Sequence, residues 1–158
     1  MTSPAPSGPV SSDPIIVALQ QVLAAQHAAI YAYPLIGITV SSDAQTQHAR
    51  TREAAHRTTR DALMAQLAAK SVTPVFAAAS YTPSEPVHDD TSAQRWALQL
   101  EDACAGAYRV LLGATAMVTA PAIRRQAMQG LGDAATQCLY WRTLLTPITP
   151  TVPFPGAD

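Results

Sequence analysis

The sequence predicts an all-α protein folded as one bundle of four helices. Four segments repeat apolar residues every three or four positions, which is the spacing of one helix face. Only a few residues separate the first segment from the second and the third from the fourth, whereas a stretch with three prolines separates the two pairs. The chain has 158 residues, 48% of them hydrophobic, which suffices for one domain with its own core.

The first helix is predicted from Pro14 to Ser41. Asp13 is a suitable N-cap and Pro14 a suitable first helical residue. Pro34 lies inside this helix and is expected to bend it, because proline lacks the backbone donor and crowds the preceding turn.

The other three helices follow from their own start and stop signals. The second is predicted from Ala44 to Lys70, and the third from a cap among residues 89–91 to about Val118. The fourth opens at residues 119–121 and ends near Leu145. Each pair of helices joined by a short turn is expected to form an antiparallel hairpin.

Residues 71–88 connect the two hairpins and contain Pro74, Pro83 and Pro86. An extended chain of this length reaches further than a helix of the predicted length, so we expect a long crossover between helices two and three. The predicted organisation is a disordered tail over 1–13, a bundle over 14–145, and a proline-rich tail over 146–158 packed on the bundle.

Composition excludes several classes of function. A net charge of −1 gives no basic surface for nucleic acid. Residues 1–13 lack the basic and apolar regions of a secretory signal. Residues 14–42 carry no formal charge, but their polar side chains favour a core helix over a membrane span. Cys104 and Cys138 are expected to be packed thiols in a reducing cytoplasm.

Several polar side chains fall on helix faces that should point inward. Gln26 shares the inner face of the first helix with leucines, His56 lies near Leu63 on the second, and Glu101 lies between Ala97 and Cys104 on the third. Folding the hairpins about their turns brings these positions to similar levels. Burying a carboxylate is costly unless it is paired or bound to a cation, so Glu101 requires a partner.

The chain resembles short ferritin-like proteins of unknown function from high-GC bacteria, through AQHAAIYAY at 25–33, AHRTTRDAL at 55–63 and LEDACAGAYR at 100–109. The resemblance implies a ferritin-like four-helix bundle. Di-iron bundles of this kind place a Glu on two helices and Glu-x-x-His on the other two. Glu53 with His56 matches one such motif and Glu101 one single Glu. Gln26 stands where a Glu is expected, and the fourth helix offers no inward ligand, so the di-iron site is degenerate.

Two interpretations of these residues remain open. In one, Glu53, His56 and Glu101 form a mononuclear iron or manganese site, completed by Gln26, His27 or water. In the other, which we favour, Arg52 or Arg60 pairs with Glu101 and the residues form a polar network. Asp133, on the fourth helix, is expected to point to solvent.

The functional prediction follows from this preference. We expect a non-catalytic ferritin-like bundle without a cofactor, acting as a homodimer or by binding an unknown protein partner. Trp96 falls away from Glu101 and is expected to cover a surface contact or the tail. The alternative is a metal-dependent oxidoreductase or metal-handling protein that uses iron or manganese. Whether the protein is an enzyme stays open.

Overall fold

The computed structural model describes residues 13–116 and 118–145. Over these residues it forms four α-helices and no strands: α1 Pro14–Thr39, α2 Asp43–Ala68, α3 Asp90–Ala114 and α4 Pro121–Leu145. The predicted all-α class is confirmed, although the first three helices end earlier than predicted. The predicted tails, at 1–12 and 146–158, lie outside the described residues.

Different interactions define the two ends of α1. The Asp13 side chain accepts a hydrogen bond from the Ile15 amide at 2.9 Å, so the predicted cap forms. The helix continues through Pro34 and stops at Thr39. The next residues leave the helix because the Ser41 amide and hydroxyl both donate to the Asp90 carboxylate, at 2.9 and 2.7 Å. This tertiary bond overrides the helical pattern that predicted two further residues.

A left-handed residue ends α2. Ser71 has φ of 57°, and the Val72 amide donates to the Leu67 carbonyl at 3.0 Å. This is the arrangement of a Schellman turn, which satisfies a free carbonyl of the last helical turn. It stops α2 at Ala68, before the predicted Lys70.

The connection between α2 and α3 lies along α1. The Gln20 side chain bonds to the Thr73 carbonyl and the Val75 amide, both at 2.7 Å. Further along α1, the Tyr31 and Tyr81 rings have their centroids 5.5 Å apart. The Ser41–Asp90 bond then fixes the start of α3 beside the start of α2. The two helices therefore begin at the same end of the bundle.

The helices surround the core unequally. α1 packs closely on α2 and on α3, and α3 packs on α4. No Cα atoms of α2 and α4 lie within 8 Å of each other in the described parts of the chain. The bundle therefore has three closely packed sides and one open seam, which we call the α2–α4 seam.

The buried side chains form an apolar cluster at each end of the bundle, with polar residues between them. Leu19, Leu63 and Leu111 belong to one cluster, and Trp96 and Trp141 to the other. Trp96 is buried and is not at an exposed surface contact, whereas the alternative that it covers the tail involves residues outside the described part of the chain. The reason for its burial is that α3 packs on both α1 and α4, which buries two of its faces.

α1 is long and apolar enough to cross a membrane by length and composition. Half of its most apolar stretch is buried inside the bundle, as expected for a core helix.

Candidate functional site

Between the two apolar clusters lies a network of polar side chains contributed by all four helices. Its members are spaced by four or seven residues along α1 and α2, so that each helix presents them on one inner face. They are Gln26, Tyr33, Arg52, His56, Glu101, Asp133 and Trp141.

Glu101 is the centre of the network and has no solvent exposure. The Tyr33 hydroxyl donates to its Oε1 at 2.6 Å. Arg52 binds it through two nitrogens, Nε to Oε1 at 3.0 Å and Nη2 to Oε2 at 3.3 Å. His56 Nε2 lies 3.2 Å from Oε1. Charge-assisted bonds to both carboxylate oxygens compensate for the loss of water around this buried anion.

Arg52 joins this buried anion to the surface. Only 6% of the residue is exposed. Its Nη2 also donates to Asp133 Oδ2 at 2.9 Å, and the Asp133 side chain is 57% exposed. The guanidinium therefore spans the α2–α4 seam. Asp133 is exposed as expected, but the expectation that it only faces solvent is wrong, because the long Arg52 side chain reaches it.

His56 links Glu101 to Gln26. Its Nδ1 lies 2.7 Å from Gln26 Oε1, and its Nε2 faces the Glu101 carboxylate. Both ring nitrogens of His56 therefore lie within hydrogen-bonding distance of a side-chain oxygen. The Gln26 amide nitrogen in turn lies 3.7 Å from Cys104 Sγ. Gln26, where the resemblance leads one to expect a carboxylate, is thus satisfied on both ends of its amide.

The network changes the acidity of its members. Burial acts to raise the pKa of Glu101, but the hydrogen bond and charge of His56, with those of Arg52, outweigh it and hold that pKa below its ordinary value. Burial and the Glu101 charge raise the pKa of Tyr33 well above its usual value, so its phenol stays protonated. Burial acts to lower the pKa of Arg52, but Glu101 outweighs it and the pKa is raised. Arg52 therefore stays a cation.

Aromatic rings close the network on its α1 and α4 sides. The Trp141 indole nitrogen donates to the Tyr33 hydroxyl at 3.2 Å. The Tyr33 ring stacks on the His56 ring, with centroids 5.4 Å apart. Each polar atom of these rings thus has a partner, as buried aromatic residues require.

A small cavity lies beside the network, at the α2–α4 seam. Its volume is about 20 Å³, enough for about one water molecule, and its walls include Arg52, His56, Glu101 and Asp133. The Tyr108 ring also lines it and lies against the α4 backbone at Gly130, where a Cβ atom would overlap the ring. The site therefore has no room for an organic substrate in this conformation.

Further along the seam, His48 of α2 stacks on Tyr140 of α4, with ring centroids 3.8 Å apart. Burial lowers the pKa of His48. Side-chain contacts alone therefore close this side of the bundle.

The structure brings together some of the predicted site residues and not others. His56, Glu101 and Gln26 lie in one network, as the helix faces indicated. Glu53 lies outside it, because Arg57 one turn later binds its carboxylate, with Nε 3.0 Å from Oε1. His27 also lies outside, with Nε2 3.1 Å from the Val75 carbonyl.

The question of which arginine pairs with Glu101 has a clear answer. It is Arg52, whereas the Arg60 Nε donates to Asp61 at 2.9 Å. Sequence reasoning missed the bonds of Tyr33 and Trp141 to the network. The signal for Tyr33 was its position seven residues after Gln26, on the same helix face.

These residues do not fit a metal ion of the di-iron type. Such a site needs free carboxylate oxygens, and the Arg52 guanidinium occupies both oxygens of Glu101. Among the residues 13–116 and 118–145, no three His, Cys, Asp or Glu side chains are grouped closely enough to hold a metal.

Comparisons with known proteins agree with the fold. The chain is similar to a conserved hypothetical protein from Mycobacterium tuberculosis, with a TM-score of 0.77 and 26% identity over 85% of this chain and 99% of the other. It is also similar to a ferritin-like, diiron-carboxylate protein from Bacillus anthracis, with a TM-score of 0.74 and 17% identity over 87% and 100%. The second likeness concerns the fold alone.

The family comparison covers nearly the whole chain. No curated protein matches the sequence. Residues 18–158 match the model of a domain of unknown function, DUF4439. The chain therefore belongs to the DUF4439 family, and its fold is that of a ferritin-like four-helix bundle.

Proposed function

We propose that this protein is a non-catalytic ferritin-like bundle that acts through its surface, as a dimer or by binding a protein partner. The observation that carries the proposal is the two-point contact of Arg52 with Glu101. It puts a fixed positive charge on the buried carboxylate that a metal would have to bind.

Electrostatics supports this interpretation. The raised pKa of Arg52 means that the guanidinium does not lose its proton to make way for a metal. A divalent ion bound to Glu101 would lie within a few ångströms of that charge, and repulsion is strong where water is excluded. A metal at Glu101 therefore requires Arg52 to leave the site.

The size of the cavity supports the non-catalytic part. With room for about one water molecule, it offers no binding surface for an organic substrate. Tyr33, His56 and Gln26 are all engaged in hydrogen bonds within the network, so their polar atoms stabilise the core.

The alternative is a metal-dependent oxidoreductase or metal-handling protein using iron or manganese. One observation favours it: His56 Nε2 and Glu101 Oε1 face each other at 3.2 Å, and both atoms are of kinds that bind these metals. Under this alternative, Arg52 would swing out toward Asp133 when the metal enters.

Metal analysis separates the two functions. The purified protein would be loaded anaerobically with ferrous iron or manganese, desalted, and its metal content measured by mass spectrometry. Wild type is expected to retain no stoichiometric metal. Arg52→Met tests whether the guanidinium keeps the metal out, and Arg57→Met, which removes an exposed arginine from the same helix, is the matched control.

One metal ion per chain in wild type, lost in His56→Ala, would establish the alternative and refute the proposal. The absence of metal from both proteins, with His56→Ala less stable to urea, would support a structural role for the network.

A further inference from the structure

The outer face of α1 carries a regular stripe of uncharged side chains. Along it the spacing alternates between four and three residues, which is the pattern of a helix that packs against another helix. Six members are exposed and Ala28 is half-buried, and one side of Tyr31 packs on Tyr81 of the connection. The stripe comprises Val17, Gln21, Ala24, Ala28, Tyr31, Leu35 and Ile38.

This stripe differs from the rest of the described surface. No ionisable carboxylate, lysine or arginine occurs between Asp13 and Asp43, whereas each of the other three helices carries several. Ile38 is 82% exposed, and Phe76 of the neighbouring connection is 83% exposed. Phe76 belongs to the connection that lies along α1, where the adjoining Val75 carbonyl contacts His27. Apolar side chains gathered on one face in this way mark an interaction site.

The order of side chains along the stripe fits a second copy of the same helix. The large residues Tyr31, Leu35 and Ile38 occupy the C-terminal half, and the smaller or polar residues occupy the N-terminal half. An antiparallel pairing about a twofold axis sets each half against the other. In one such register Tyr31 meets Ala28, Leu35 meets Ala24 and Ile38 meets Gln21, so that large side chains face small ones.

We infer that the α1 stripe is the interface of a twofold-symmetric dimer of this chain. A charged partner would leave its charges buried without counterions on this neutral face, whereas a second copy brings none. The inference rests on the proposed function, since it specifies the dimer named there, and it replaces Trp96 as the basis for a dimer.

The mass of the full-length protein tests this inference. Sedimentation velocity over a wide range of protein concentration is expected to show a species of twice the 16.6 kDa chain mass. Ile38→Glu places two carboxylates in the interface without disturbing the core, and should weaken self-association by roughly 100-fold or more. Met128→Glu is the matched control, because Met128 is an exposed apolar residue on α4. It should leave the dimer intact.

Engineered cysteines test the register. Ala24→Cys and Leu35→Cys should form a disulfide between chains when the two variants are mixed and oxidised, and much less of one when either is oxidised alone. The native Cys104 and Cys138 are buried and stay out of this reaction.

Three outcomes would overturn the inference: a wild-type monomer at every concentration, a dimer that Met128→Glu breaks while Ile38→Glu does not, and stripe-dependent binding to phospholipid vesicles by a chain that does not dimerise. The metal assay is independent of these results. A metal-free monomer would refute the interface and leave the arginine-centred core standing. A dimer that retains one iron per chain would support the interface and refute the proposed metal-free core.

Discussion

Two arginines of α2 each bind a glutamate, one inside the bundle and one near its surface. Arg52 points inward and binds Glu101 of α3, in a site with almost no solvent exposure. Arg57 points outward and binds Glu53 one turn earlier, where its own side chain is about half exposed. Both contacts join a guanidinium to a carboxylate, and they differ most in burial.

Burial changes what each pair does for the protein. An exposed pair one turn apart on a helix stabilises it by about 0.3 to 0.5 kcal/mol, because water screens the charges. A buried pair adds little net stability, but breaking it costs about 3 to 5 kcal/mol, since the remaining charge has no water. We expect the inner pair to determine whether the core forms, and the outer pair to be nearly dispensable.

The largest expected effect is that of Arg52→Ala. It leaves the fully buried Glu101 carboxylate without its main counterion, so the free energy of unfolding should fall by about 3 to 5 kcal/mol. Arg57→Ala should lower it by no more than about 0.5 kcal/mol. Urea denaturation followed by circular dichroism measures both. Equal effects would mean that water reaches the inner pair.

The pH dependence of stability provides a second test of the difference between the two pairs. The pKa of Glu101 is lower in the folded protein than its ordinary value of 4.5, so its contribution to stability is complete above that pH and is lost as pH falls through the lower, folded value. Glu101→Gln should lower the free energy of unfolding at neutral pH by about 3 kcal/mol and flatten its decline below pH 4.5.

A control is needed for this acid effect, because the Asp89 cap also has a lowered pKa, caused by its bonds to Ser92. Asp89→Asn should also flatten the decline, and it leaves the Glu101 contribution in place. If the wild-type and Glu101→Gln curves ran parallel in acid, folding would not lower the pKa of Glu101.

The sequence predicted the fold because helix periodicity and caps are local signals. It placed the starts of α1 and α4 correctly, where Pro14 and Pro121 occupy the first turn. It extended α1 too far, because α1 ends at the bond between Ser41 and Asp90, which are far apart in the sequence. A tertiary contact of this kind leaves no trace in the periodicity.

The candidate site was predictable only in part. Helix faces placed Gln26, His56 and Glu101 together, since all three lie among apolar residues of their faces. They did not distinguish Arg52 from Arg60, because long side chains reach partners well away from their own Cα atoms. The same reach explains why Arg52 contacts Asp133, on the far side of the α2–α4 seam.

A smaller effect is expected for Tyr33→Phe, which removes one hydroxyl from the inner network. The change deletes the 2.6 Å bond to Glu101 and leaves the Trp141 indole nitrogen without its acceptor. A hydrogen bond to a charged group contributes about 1.5 to 3 kcal/mol, so a loss of about 2 kcal/mol is expected. Thermal unfolding of Tyr33→Phe and of wild type measures this loss. A Tyr33→Phe protein as stable as wild type would mean that Glu101 is satisfied without this hydroxyl.

The smallest expected effect is that of Glu53→Gln, which changes the outer pair alone. Glu53 was a predicted metal ligand, yet its carboxylate binds Arg57 at the surface. Because Glu53 is partly exposed and Arg57 about half exposed, the variant should change the free energy of unfolding by no more than about 0.5 kcal/mol. Its metal content after anaerobic loading should equal that of wild type. If Glu53→Gln instead removed a stoichiometric metal that His56→Ala also removed, the Glu-x-x-His motif would be a working ligand pair. The outward position of Glu53 would then be one of two conformations of α2.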